Sequence, residues 1–464
     1  MKKAAVIIIC LVMLATGIFV FAGCKESCEA SLFKSDLVKS VEKNGNVYTV
    51  SLKGKQYVDT LVLEEKADKV TNFGVYGKKD DGSYSLVYRQ DRIDRYRVCS
   101  LDGIVTDELR IEIFSALGKT KIDSVKAYDS TKERREKPFR VTEYLTTEKG
   151  KLQKNENNPD FVGYFDKVTD IICIGEIGMN SAAEIVYGEG KDDFENDVAT
   201  LRRIKEDMNI VVSVNIQSMT GADNGRNEPE GVKKWINRNI DKIITNMTAF
   251  AREFGIDAID IDWEYPNKKS QWDAYSTLIT RLSSALKEEG RFITVAVAHW
   301  GVKFSKEACE AIEYVNLMTY DIFDERGEHA SHYVTGKSAV EQFLTSTNFK
   351  PEQVMLGLSF YGRTVNGSGN AWPDMNWDYN VNGKSLGKWG NYVKDFEYVE
   401  DGLTKYCDAY VNGYAMNRDK TTYAIASGLG GVMIFRMCCD APYSYEYSLH
   451  KAVAEAMERV IMKA

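Results

Sequence analysis

The chain has 464 residues, 44% of them hydrophobic and 28% charged, with a formal net charge of −8. That is globular composition, long enough for two or three domains. Mild acidity and the lack of a Lys/Arg-rich run argue against a nucleic-acid partner, and no fixed-period repeat or low-complexity tract interrupts the chain.

The N-terminus reads MKK, then AAVIIICLVMLATGIFVFAG, then Cys24. A basic start, an apolar run and the small residues Ala22 and Gly23 make residues 1–23 a secretion signal. The string FAGC resembles a bacterial lipoprotein box, which implies a lipidated Cys24 at the start of the mature chain and a membrane partner through that anchor. Phe21 is unusual for such a box, and the run is long enough to stay uncleaved as a signal anchor. Both readings put the body of the protein outside the cytoplasmic membrane. Beyond the signal the cysteines are odd in number and lack paired CxxC spacing, and the four histidines are scattered. Neither a disulfide framework nor a metal centre is indicated, and no cofactor is expected.

Residues 30–129 read as short strands: NVYTVSL, YVDTLVLEE, NFGVYGK, YSLVYRQ, YRVCSL, ELRIEIFSA and IDSVKAYD, with turns at GKQ, KDDGS and ALGK. Many short strands without a long helix predict an all-β sandwich. The phrases TNFGVYGKKDDGSYSLVYRQ and ELRIEIFSALGKTKIDSVKAYD resemble the back half of the discoidin-like, galactose-binding-like domains that accompany glycosidases. The resemblance implies either a carbohydrate-binding module or a spacer that lifts an enzyme off the membrane. STKERREKP, Ser130 to Pro138, then reads as a solvated linker.

From residue 139 to 464 the texture changes to apolar strands alternating with helical stretches. RVTEYLTT, VTDIICIGEI, NIVVSVNIQ, AIDIDWEYP, RFITVAVAH, YVNLMTYDIF, VMLGLSFYG and GGVMIFRM are the candidate strands. Eight strands with helices between them predict a parallel α/β TIM (β/α)8 barrel.

GIDAIDIDWEYP places three carboxylates on alternate positions. In a barrel strand, Ile259, Ile261 and Trp263 suit the helix layer, so Asp260, Asp262 and Glu264 point inward, with Glu264 highest at the C-terminal mouth. Burying three carboxylates is too costly for decoration, and their crowding raises at least one pKa, which suits a general acid. Residues i and i+2 of a strand lie roughly 6.5 Å apart on one face. Asp262 and Glu264 therefore reach a ligand from the same side and do not flank a scissile bond as a two-carboxylate glycosidase requires. The nucleophile must come from elsewhere, and the substrate's own N-acetyl oxygen points to a 2-acetamido sugar.

DAIDIDWEYP resembles the DxxDxDxE signature of glycoside hydrolase family 18, the chitinases and their relatives. VNLMTYD, LGLSFYGR and GLGGVMIF match its strand-six, strand-seven and strand-eight motifs in order. The resemblance implies that Glu264 protonates the glycosidic oxygen. Asp262 orients the acetamido group, with Asp260 beneath it, and Tyr320 donates to the acetamido oxygen. It further implies that Tyr144, Met318, Asp321 and Tyr361 line the sugar subsite, that Phe435 forms its floor, and that Asp257 is structural.

There are departures. The family's SxGG on strand three is SVNI here: Ser213 remains able to bond Asp260, while Asn215 and Ile216 replace glycines. Ala258 replaces a glycine, and Phe435 stands where the family has tryptophan, keeping an apolar platform of smaller area with no indole N–H. Trp300, after strand five, is a sugar platform or a core residue. Trp372, Trp377, Tyr379 and Trp389 either stack on sugars at the rim or pack on one another. The expected function is hydrolysis of β-1,4-linked N-acetylglucosamine polymers or oligosaccharides, with retention. The alternatives are a non-catalytic glycan-binding surface protein and an endo-β-N-acetylglucosaminidase acting on N-glycan or peptidoglycan.

Overall fold

Two strands of the N-terminal region run through the turns that the sequence places between shorter ones. In the computed structural model, which describes residues 33–146, 148–216, 229–364, 380–381, 384–400 and 402–462, the region contains β1 (Val38–Asn44), β2 (Val47–Glu64), β3 (Val70–Lys78), β4 (Tyr84–Gln90), β5 (Tyr96–Ala116) and β6 (Ser124–Tyr128). They form one antiparallel sheet of order β1-β2-β5-β3-β4, with β6 on β2. The β2–β5 ladder slips between Ser51 and Gln56 and again between Val58 and Thr60. GKQ and LDG are therefore irregularities within long strands, where a bulge bends the ladder without ending it. Val50, Leu61, Val75, Leu109 and Ile111 are buried in the core of this unit.

All eight predicted barrel strands close into a parallel barrel: β7 (Arg140–Thr146), β8 (Asp170–Ile174), β9 (Asn209–Asn215), β10 (Ala258–Asp262), β11 (Phe292–Ala298), β12 (Tyr314–Met318), β13 (Val354–Ser359) and β14 (Gly431–Phe435). Enclosure on both faces explains why these strands read as nearly continuous apolar runs. On β10, Ile259, Ile261 and the following Trp263 pack into the outer core, whereas Asp260 and Asp262 point inward. The surrounding helices include α1 (Pro229–Phe254) and α2 (Lys269–Lys287), which pack on each other over β10 and β11.

The N-terminal sheet is welded to the barrel. Helix α3 (Tyr414–Ala426), which precedes β14, is buried along its whole length, polar residues included. Asp419 accepts from Tyr88 Oη at 2.5 Å, Arg97 Nε at 3.0 Å and the Ser100 backbone N–H at 2.8 Å. Arg418 donates to Ser100 O at 2.6 Å and Asp102 Oδ1 at 3.2 Å. Val62, Tyr96, Val98 and Tyr128 join the apolar core of the barrel itself.

The segment expected to be a solvated linker is largely exposed but is pinned at two buried residues, Ser130 and Arg135. Arg134–Arg135 pairs in parallel with Ile461–Met462. Ser130 is buried and bonds Asp59 through its N–H (3.0 Å) and hydroxyl (2.6 Å). Arg135 is buried and donates to the carbonyls of Lys137, Pro138 and Leu429. Burial pushes its pKa down to about 10. The charge run misleads because a guanidinium can satisfy several carbonyls at once, which suits it to sealing a junction.

Among the described residues no helix is long and apolar enough to cross a membrane. Residues 1–32, with Cys24, lie outside the described residues. Cys99, Cys173, Cys309 and Cys439 are buried free thiols.

Candidate active site

The inward face of β10 sets the chemistry. Asp260 is fully buried and accepts four side-chain hydrogen bonds: Thr294 Oγ1 (2.6 Å), Ser213 Oγ (2.9 Å), Tyr144 Oη (3.0 Å) and Asn316 Nδ2 (3.3 Å). Strand register dictates two of them, because Ser213 and Thr294 stand directly beside Asp260 on β9 and β11. Burial raises the Asp260 pKa, while these donors favour its anion.

Asp262, one step higher, is 8% exposed and accepts from Asn215 Nδ2 at 3.2 Å. Burial, then the neighbouring Glu264 and Asp260 carboxyls, push its pKa well above the ordinary carboxylate range. Of the two aspartates, Asp262 has fewer donors and two acidic neighbours, so the proton is favoured there over Asp260. Glu264 follows the end of β10 and lines an open cavity of about 480 Å³ with Tyr265, Trp272, Trp300 and Lys303. Trp300 is 53% exposed and sits 5.5 Å from the Tyr265 ring, so it is not a core residue.

Phe435, at the end of β14, is surrounded by tyrosines. Its ring lies 5.7 Å from Tyr320 in a stacked arrangement, 5.7 Å from Tyr144 and 6.1 Å from Tyr361, edge-on. Met318 packs with the same inner cluster. These rings supply apolar area around the position where the smaller aromatic stands. Burial, then nearby carboxylates, push the Tyr320 and Tyr144 hydroxyls well above the usual tyrosine range, so both remain donors. Tyr144 is itself buried and commits its hydroxyl to Asp260, which makes it a support of the floor through its ring.

Asp321 has φ +59° and is held by Tyr361 Oη at 2.6 Å and by Arg363 Nε (2.7 Å) and Nη2 (2.6 Å), while its N–H donates to His329 Nε2 at 3.0 Å. Burial raises its pKa, but these donors outweigh burial and keep it below the ordinary range. Asp257 stands apart at the entry to β10, accepting from Arg202 and from the Ile210 N–H. Trp389, read as a rim aromatic, packs against Tyr88 at 5.6 Å in the N-terminal core. Trp372, Trp377 and Tyr379 lie outside the described residues.

Sequence reasoning missed Asn316, Thr294, Asn215 as a donor, and the Arg363–His329 support of Asp321. Asn316 was within reach, because it lies two residues before Met318 and shares its inward face. Arg363 ends a quoted motif, but its partner is distant in the chain. His329 carried no signal.

A general acid above two buried aspartates of unequal proton affinity, beside a tyrosine donor and an aromatic floor, can protonate a leaving oxygen and stabilise a cation next to it. Residues 140–440 match the family model for glycosyl hydrolases family 18. The chain belongs to this family. It is 26% identical over 233 residues to Chitinase 1 of Aphanocladium album, covering 41% of this chain and 53% of that protein. Chitinase 63 of Streptomyces plicatus is 24% identical over 226 residues, covering 40% of this chain and 36% of that protein. The chain spans about half the length, or less, of these curated relatives. Among solved structures, a chitinase from Bacteroides thetaiotaomicron aligns with a TM-score of 0.51 at 19% identity, over 69% of this chain and 97% of that one. The Ostrinia furnacalis Group IV chitinase, solved in complex with allosamidin, gives 0.51 at 19% identity, over 70% and 100%. These likenesses support the barrel fold of the family.

Proposed function

We propose that this family-18 chain hydrolyses β-1,4-linked N-acetylglucosamine glycans by a substrate-assisted, retaining route. The observation that carries this reading is the Asp260–Asp262–Glu264 column, in which burial and the two flanking carboxyls raise the pKa of the middle member, Asp262, well above the ordinary range. Glu264 gives its proton to the glycosidic oxygen as the acetamido oxygen of the adjacent sugar bonds to the anomeric carbon. The C–O bond to the leaving sugar breaks and a cyclic oxazolinium forms. Asp262 passes its proton to Asp260 beneath it, and its carboxylate then accepts from the acetamido N–H and balances the positive charge, while Tyr320 orients the acetamido oxygen. Glu264, now a carboxylate, takes a proton from water, which attacks the same carbon and opens the ring with net retention. That relatives such as Chitinase 1 and Chitinase 63 are chitinases supports a chitin-type glycan as the substrate.

The test is hydrolysis of labelled chitotriose by the soluble chain from Lys25 onward, beside Glu264→Gln. Turnover lost in the variant, with the β-anomer as the first product by NMR, supports the reading. Equal turnover by both rejects Glu264 as the acid, and binding without turnover moves the reading to a lectin.

We also infer export and lipid anchoring at Cys24, and a galactose-binding-like ancestry for the N-terminal sheet. Mass spectrometry of the mature N-terminus from membranes tests the anchor, since an intact residue 1 or a soluble chain rejects it.

A further inference from the structure

The two aspartates of β10 each have a partner on β9 in the same parallel register: Ser213 stands opposite Asp260, and Asn215 opposite Asp262. Ser213 Oγ donates to Asp260 Oδ2 at 2.9 Å, and Asn215 Nδ2 donates to Asp262 Oδ2 at 3.2 Å. Asp260 has three more donors. Asp262 accepts from the Asn215 amide, and its other close neighbours are the acidic Glu264 and Asp260. The pattern asks for glycine there, so this amide is a feature of this chain rather than of the motif it resembles.

We propose that Asn215 is a positioning residue for Asp262, holding its carboxyl plane and stabilising its anion at the stage when positive charge develops on the substrate. The inference rests on the function proposed above. In that route Asp262 is neutral before the reaction, crowded as it is by Glu264 and Asp260, and negative when the oxazolinium forms, its proton having passed to Asp260. A neutral N–H donor aimed at Oδ2 favours the second state without a permanent positive charge that would repel the developing cation. Ionisable groups facing Asp262 from other elements are Tyr144 of β7, Tyr275 of α2 and Tyr320 after β12. Burial holds all three above the usual tyrosine range, so none titrates across the working pH. The carboxyls of Asp260, Asp262 and Glu264 are left to shape the profile, with Asn215 biasing the middle one.

The experiment measures the pH profile of chitotriose hydrolysis for wild type, Asn215→Ala and Asn215→Ser. Alongside it, ¹³C NMR follows the titration of Asp-labelled protein, with Asp262→Asn identifying the Asp262 signal. Asn215→Ala is expected to move the acid limb and the Asp262 titration to higher pH by about 0.5, and to lower kcat about 10-fold with KM changed less than about twofold. Asn215→Ser, which retains a shorter-reaching donor, is expected to fall between them. If Asn215→Ala does not fold, the Ser variant carries the comparison. Unchanged acid limb and Asp262 titration in folded variants overturn the role of Asn215, even with chitotriose cleaved normally. A wild type that leaves chitotriose intact instead rejects the proposed function, and the NMR titration then still decides whether Asn215 governs Asp262.

Discussion

Tyr144 Oη donates to Asp260 Oδ2 at 3.0 Å, and Ser213 Oγ donates to the same oxygen at 2.9 Å from another strand. These donors favour the Asp260 anion, while burial and its acidic neighbours favour the proton on Asp262, higher in the column. Tyr144→Phe removes one of four donors and leaves the others. The lost bond to a charged group is worth about 1.5–3 kcal/mol. We expect kcat on chitotriose to fall about 10-fold or more, with the acid limb of the pH profile moved upward because the Asp260 anion is less favoured. An acid limb that stays in place in Tyr144→Phe argues that Asp260 does not share the proton.

Phe435 is the platform on which Tyr320, Tyr144 and Tyr361 converge. Phe435→Ala removes the apolar face while leaving every carboxyl in place. The expected result is a KM for chitotriose raised about 10-fold, equivalent to about 1.4 kcal/mol, with the pH profile unmoved. Phe435→Trp, by contrast, must fit extra volume among three rings, and overpacking of this kind costs about 1–3 kcal/mol. Thermal denaturation of the tryptophan variant checks this second outcome.

The barrel was legible because each strand is enclosed on both sides, which leaves apolar runs broken only where a side chain serves the interior. Asp260 and Asp262 are such breaks, and their parity gave their direction; Asn316 is another, missed although the same parity applies to it. The N-terminal strands were split too finely, since Gly54 read as a turn whereas it sits where the long β2–β5 ladder slips, as Gly103 does. The junction was the largest miss. Arg135 lies in a run that reads as solvated, and Arg97, Arg418 and Asp419 draw no reading at all; only tertiary partners distant in the chain reveal them as buried. Charge in a sequence says that a partner is needed and does not say whether that partner is water.

His450 is a pH-dependent element remote from the acid column. It is buried, with Nδ1 2.6 Å from Asp440 Oδ2 and Nε2 3.1 Å from Glu143 Oε2. Burial alone would lower its pKa, but Glu143 and Asp440 outweigh it and raise the value to about 9. Its unfolded value is about 6.5, so the charged His450 stabilises the fold fully below that pH and the contribution is lost as pH rises toward about 9. The difference amounts to about 3 kcal/mol as an order of magnitude. Urea midpoints at pH 6 and pH 9.5 are expected to differ more for wild type than for His450→Gln, which should be less stable at pH 6 and flatter in its dependence. Parallel pH dependences of the two proteins would remove His450 from the account.

Arg97 and Asp419 join the two structural units, and their environment predicts a larger loss for single than for double replacement. Arg97 Nε lies 3.0 Å from Asp419 Oδ2, both side chains are essentially inaccessible, and Tyr88 Oη completes the group at 2.5 Å from the same oxygen. Arg97→Met leaves the Asp419 charge buried without its cation, which costs about 3–5 kcal/mol. Replacing both, Arg97→Met with Asp419→Leu, removes that penalty, and such exchanges are often neutral or stabilising. Here the double variant also deprives Tyr88 and the Ser100 N–H of their acceptor, so it is expected to recover part of the loss and remain below wild type. Because α3 and the apolar core belong to both units, all three proteins should unfold in one transition followed equally by fluorescence and circular dichroism. Separate transitions for the sheet and the barrel would contradict a shared core, and a single variant as stable as wild type would show that the ion pair contributes nothing to holding them together.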